Sequence, residues 1–184
     1  MAVPDPAILA ATLAWLERAV IGLNLCPFAK AVYAKGQVHV AVSSASSPVQ
    51  VLQDIREELD ALVARDETER ETTLLVVPNY LHDFVEFIEV AGRVERLIRK
   101  GGRAGVVQLA TFHPDYCFAD ASEGDMANFS NRSPYPTFHL LRESSIARAV
   151  EVFPDPESIY GANRATLREL GRTGWAVLDV GPVQ

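Results

Sequence analysis

Thr72-Thr73-Leu74-Leu75-Val76-Val77-Pro78 decides the fold. An unbroken apolar run of this length, stopped by proline, is the pattern of a strand covered on both faces. Such a strand needs helices on either side, and the flanking sequence supplies them. Upstream, Ser46-Ser47-Pro48 caps a helix in which Val51, Leu52, Ile55, Leu59, Leu62 and Val63 recur at helical spacing. Downstream, Phe84, Phe87, Ile88, Ala91, Val94 and Ile98 form a second stripe that stops at Gly101-Gly102. Further out, Val38, Val40 and Val42 alternate with His39 and Ala41 as an earlier strand, and Val106 to Phe112 reads as a later one. Strand, helix, strand, helix, strand predicts parallel pairing through right-handed crossovers.

The outer segments complete the expectation. Asp5-Pro6 starts a helix carrying Ile8, Leu9, Leu13, Leu16, Val20 and Leu23, closed by Gly22 and Asn24. The charged run from Arg65 to Glu71 reads as a solvated connection. Thr137 to Leu141 is a short fourth strand, a helix starts at Ser144-Ser145, and another starts at Asp155-Pro156. Trp175 to Val180 reads as a last edge strand. The expected architecture is a single α/β domain over residues 1–184: a mixed, mostly parallel sheet of four to five strands with helices packed on it.

The 184 residues are 48% apolar and 22% charged, ordinary for a globular chain, so disordered and fibrous classes are excluded. Net charge is −7, which argues against nucleic acid or an anionic membrane as main partner, because phosphate backbones are held by clustered Lys and Arg. A local pocket for a small anion is compatible with that balance. Cys26 and Cys117 stand far apart and imply no disulfide framework. The N-terminus lacks a basic n-region and no apolar run is long enough to span a bilayer, so a cytoplasmic protein is expected.

If the first three strands are parallel, their carboxyl ends share one edge, where ligands of open α/β sheets gather. His113-Pro114-Asp115 follows the third strand, and a long polar loop runs from there to Asn131-Arg132-Ser133-Pro134-Tyr135-Pro136. Loops of that length in compact domains tend to be functional or disordered, and proline and aromatic residues stiffen both ends of this one. A fourth strand returning antiparallel brings Arg132, Thr137 and His139 toward His113 and Asp115. Alternation sets Thr137 and His139 on one face, and Phe138, Leu140 and Arg142 on the other.

His113 with Asp115 fits an acid–base pair, the carboxylate orienting the imidazole; the plain alternative is a histidine that ends a strand by bonding to a loop. Arg132, with Lys30, fits a clamp for a carboxylate or phosphate, or else ties down its own loop. Asn131 orients a substrate or holds an Asx turn. His139 is a second polar contact. Cys26 before Pro27 is a nucleophile only if its thiol is activated, and otherwise a small buried hydrophobe. His113, Cys117, His139 and Cys26 are of zinc-ligand type but lack a familiar spacing, so no metal is assigned. No Walker-type loop, dinucleotide fingerprint or nucleophile elbow occurs, and the cofactor stays unknown.

Asn24-Leu25-Cys26-Pro27-Phe28-Ala29, Ala110-Thr111-Phe112-His113-Pro114, the Asn131 to Pro136 segment and His139-Leu140-Leu141-Arg142 together resemble the domain of unknown function 1415 family of bacteria. The resemblance runs through Asn163, Leu167, Gly171 and Gly174-Trp175. It implies one intact domain and lends no catalytic role to any residue. Two functions therefore compete. One is an enzyme that acts on a small polar anion at the strand-end edge through His113. The other is a non-catalytic ligand-binding or protein-interaction module, in which Phe112, Tyr116, Phe118, Phe129, Tyr135 and Phe138 form a partner surface, a homodimer included.

Overall fold

The structure, a computed structural model, describes residues 5–152 and 156–182. Asp155, the expected cap of the last helix, lies outside them. Asp5 and Ser47 cap as expected, accepting from the Ala7 and Gln50 amides, and Asp83, not among the expected caps, accepts from Glu86. They open α1 (Pro6–Trp15), α3 (Pro48–Ala64) and α4 (Phe84–Lys100). Between them come α2 (Ala29–Ala34), β1 (Val38–Val42) and β2 (Thr72–Val76). After them come β3 (Val107–Phe112), a 3-10 turn (Met126–Asn131), β4 (Thr137–Arg142), α5 (Glu143–Val152) and α6 (Pro156–Val177).

α1 continues into a π turn over Leu16–Ile21. Gly22 closes it for a steric reason: a Cβ there would sit 2.3 Å from the Arg18 carbonyl oxygen. Asn24 then turns the chain with φ of 54°. Gly171, at φ 65°, breaks α6 into two helical pieces. Both positions use conformations that a side chain resists.

The sheet order is β1-β2-β4-β3. β1 and β2 are parallel, whereas β4 runs antiparallel to both β2 and β3. The expectation of a mostly parallel sheet is therefore corrected: the sheet has one parallel pair and two antiparallel ones. The crossover through α4 carries β3 past a vacant position, and β4 fills it on its return, contributing the fully buried Phe138 and Leu140. β3 still points the same way as β1 and β2, so all three end at one edge and β4 begins there. Thr137 is in register with both Val76 and Phe112.

The fifth strand is also corrected. Trp175 to Val177 belong to α6, followed by a turn whose Asp179 has φ of 51°. Trp175, Leu178 and Val180 cover the face of the sheet that holds Leu74 and Phe112, joined there by Trp15, Leu16, Ala19 and Val20. The other face holds Leu75, Phe138 and Leu140 under α3 and α4. β2 is thus enclosed on both sides, as its unbroken apolar run requires.

The Arg65 to Glu71 connection is not wholly solvated. Arg70 is buried, ion-paired to the buried Glu58 and bonded to Thr73. Arg142 beside it donates to the carbonyls of Leu62, Arg65 and Arg70.

Candidate functional site

The residues after β3 do converge. His113 is fully buried, its ring centroid 5.3 Å from that of Phe84 and 5.1 Å from that of Phe87 on α4. Its Nε2 donates to the Leu81 carbonyl at 2.9 Å, and its Nδ1 accepts the Asp115 amide at 3.0 Å. A carbonyl only accepts and an amide only donates, so the ring is neutral with its proton on Nε2. Burial pushes the imidazole below the ordinary histidine value, and the Leu81 carbonyl and the Asp115 and Asp83 carboxylates only partly oppose this. Asp115 orients His113 through its backbone, leaving its exposed carboxylate free of the ring.

Leu81 explains what the imidazole holds. Leu81 sits at φ 63°, a left-handed conformation costing a non-glycine residue about 1–2 kcal/mol. Its side chain is nonetheless buried in the core under α4. The His113 bond fixes that turn between β2 and α4.

The loop 113–136 packs against α6 rather than standing open. Asn128, fully buried, accepts the Phe118 amide and donates to Ser122. Met126 and Phe129 pack with Leu25 and Leu167, and Trp175 meets Phe129 edge-on at 5.0 Å. Arg164 pairs with Asp120 and Arg168 with Asp125, whose carboxyl is held down at about 2 chiefly by that guanidinium. Arg132 lies over the Phe129 ring at 4.4 Å and donates to the carbonyls of Tyr116 and Glu123. Burial lowers its pKa against the opposing pull of Asp115. Asn131 donates to the Thr111 carbonyl at 3.2 Å, and its own carbonyl receives the His113 amide.

His113, Asp115, Asn131 and Arg132 are therefore one neighbourhood. His139 is not in it. It faces the opposite side of the sheet, bonded to Thr72 and 6.1 Å from the Phe112 ring. Burial pushes its pKa down to about 4. Cys26 packs on that same face with the Trp15 cluster, and Lys30 is exposed on α2. Among the described residues, no three His, Cys, Asp or Glu side chains are grouped to hold a metal ion, and no helix is long and apolar enough to cross a membrane.

The concavity of this region lies beside β3. A cleft of about 400 Å³ is lined by Ile88, Gly92 and Glu95 of α4, Leu109 and Thr111 of β3, and Tyr116 and Asn131 of the loop. β3 is an edge strand, and the register decides what that edge offers. The Val77 amide bonds to the Pro136 carbonyl, which makes the even-numbered β4 residues partners of β2. Odd-numbered β4 residues then bond to Gln108, Ala110 and Phe112, leaving the main-chain groups of Leu109 and Thr111 directed outward. The Asn131 bond to the Thr111 carbonyl agrees with that parity.

Sequence reasoning named Tyr116 for a partner surface but missed Gly92 and Glu95 as lining residues. They become neighbours only through the strand order, which no local pattern in the chain encodes. It also missed Leu81, since nothing marks a leucine for positive φ.

None of the curated proteins and none of the solved structures compared with this chain matches it. A family model described as "Protein of unknown function (DUF1415)" matches residues 7–177. That match runs from the first turn of α1 to the end of α6, and the chain belongs to the DUF1415 family.

Proposed function

We propose that this chain is a single-domain, non-catalytic recognition module of the cytoplasm, which takes an extended basic peptide segment as an added strand on the free edge of β3. The carrying observation is the outward-facing Leu109 backbone and Thr111 amide beside the 400 Å³ cleft under α4, the Thr111 carbonyl being held by Asn131. Strand addition supplies affinity through main-chain bonds and selectivity through pockets for alternate side chains. Ile88 and Val85 on α4 and Val106 before β3 are exposed aliphatic residues flanking that edge. Glu95 is the one charged lining residue, and the chain carries −7, so a partner bearing Lys or Arg fits better than a second acidic copy. The unpaired Cys26 and Cys117 are in keeping with a reducing compartment.

The enzymatic reading, with His113 as acid or base, Asp115 beside it and Arg132 as anion clamp, has less support. Both nitrogens of the imidazole are taken by backbone groups, and the Arg132 guanidinium is spent on loop carbonyls and the Phe129 ring.

Leu109→Pro tests the module. It deletes an outward amide that the β4 ladder does not use, a position where edge strands tolerate proline. Calorimetric titration with a heptapeptide alternating valine and lysine should give a measurable Kd for the wild-type chain. Binding should weaken at least tenfold for Leu109→Pro and for Gly92→Leu, whose added Cβ would meet only Arg96 at 3.8 Å. Equal binding by all three folded proteins would refute strand addition at β3.

A further inference from the structure

On the other flank of α4 lies a second groove, of about 440 Å³, lined by Arg56 and Asp60 of α3 and by Arg93, Arg96 and Lys100 of α4, with Arg103 closing its end. Leu52 and Leu97 form its floor, both packed against the main core. Leu52, Arg56 and Asp60 stand at i, i+4 and i+8, and Arg93, Arg96 and Lys100 at i, i+3 and i+7. Each set is therefore one ridge of its helix, and the two ridges face each other.

The charges are lopsided. Five cations meet one carboxylate, and Asp60 is already paired with Arg103. Arg56, Arg93, Arg96 and Lys100 make no ion pair among the described residues. Elsewhere Arg148 pairs with Glu67 and Glu71, Arg164 with Asp120 and Arg168 with Asp125, while Arg65, Arg99 and Arg172, which make no ion pair among the described residues, are not gathered in one groove. Position at the end of α4 accounts for Lys100, since cations favour helix C-termini. It does not account for Arg93 in the middle of α4 or for Arg56 in the middle of α3. Like charges gathered over an apolar floor repel one another at a reduced effective dielectric, and an anion between them removes that cost.

We propose that this groove is a binding site for a small anion carrying at least two phosphate groups, such as an inorganic triphosphate or a nucleoside triphosphate. Arginine forks on both ridges give bidentate contacts to separate phosphates, and Lys100 adds a point charge. The groove suits a compact ligand better than a polymer. It ends at Gly101 and Arg103, and Glu57, Glu89 and Glu95 are exposed elsewhere on the same two helices, where a long phosphate chain would meet them.

The test is calorimetric titration of the full chain with inorganic triphosphate, ATP, inorganic monophosphate and a 20-base-pair DNA duplex. Triphosphate should bind at least tenfold more tightly than monophosphate, weaken severalfold between low and physiological salt, and lose at least tenfold in Arg56→Glu/Arg96→Glu. Those side chains are exposed, and reversing them relieves repulsion, so the unliganded double variant should melt no lower than the wild type. ATP equal to triphosphate means the phosphates alone are read, while ATP tighter means the base is read too; either supports the site. Failure of triphosphate to bind, equal binding by the double variant, or a preference for the duplex would overturn the proposal. The Leu109→Pro variant should bind triphosphate normally, so this site and the β3 edge stand or fall separately.

Discussion

Replacing His113 by alanine should damage the fold rather than a reaction. The side chain is fully buried between Phe84 and Phe87, and deleting a buried aromatic ring costs about 3–5 kcal/mol through lost transfer energy and cavity. The substitution also leaves the Leu81 carbonyl and the Asp115 amide unpaired, at about 1–3 kcal/mol each unless water enters. Water in the vacated space recovers part of that loss, so a net destabilisation of about 4–6 kcal/mol is expected. That is a large share of the roughly 5–15 kcal/mol that holds a domain together. Urea denaturation followed by far-ultraviolet circular dichroism measures it. His113→Phe separates the contributions, because it keeps a ring in the space while leaving both backbone groups unpaired, and should cost about 2–3 kcal/mol. A loss below about 1 kcal/mol for the alanine variant would refute the structural role of His113 and reopen its use as an acid or base.

Other perturbations have equally definite outcomes. Acidification should destabilise the protein below about pH 6.5, because burial lowers the pKa of His113 and His139, the latter to about 4. The unfolded chain protonates these rings near 6.5 while the folded one does not, so it binds more protons. Each group then removes up to about 1.4 kcal/mol per pH unit until its folded pKa is reached, which urea midpoints from pH 8 to pH 4 will report. Asn128→Ala should cost about 2–3 kcal/mol and, by unpinning Phe118 and Ser122, speed limited proteolysis within 113–136 while β2 stays protected. Glu58→Ala strands the buried Arg70 and should lower stability by about 3–5 kcal/mol in the same urea assay, with Arg70→Met restoring part of it.

Much of the fold is legible in the chain because its signals are local. Asp5 and Ser47 cap where side-chain chemistry says they should, and the apolar stripes of α3 and α4 face the core except at Val63 and Ile88, which are exposed. The shared carboxyl edge of β1, β2 and β3 follows from crossovers of fixed hand. What the chain does not reveal is which strand fills the gap that a crossover leaves. β4 carries no mark of pairing on both sides, yet its insertion makes β3 an edge strand and creates the cleft. Trp175 to Val180 misleads for a related reason. Trp175, Leu178 and Val180 suit a strand or a helix end equally, and the need to cover the second face of the sheet decides the matter. Within the candidate site, the gathering of His113, Asn131 and Arg132 is readable from their place at a strand end. Their roles are not, because whether a histidine works or is walled in depends on Leu81 and Phe87, distant in sequence.

Residue-resolved amide hydrogen exchange tests the account most directly. The amides of Gln108, Ala110 and Phe112 should be protected in the free protein, while those of Leu109 and Thr111 exchange at least tenfold faster. Adding the valine–lysine heptapeptide should slow the latter two and leave the former unchanged. Leu109 and Thr111 amides already protected without peptide, or unmoved by a saturating amount of it, would contradict the claim that the β3 edge is the recognition surface.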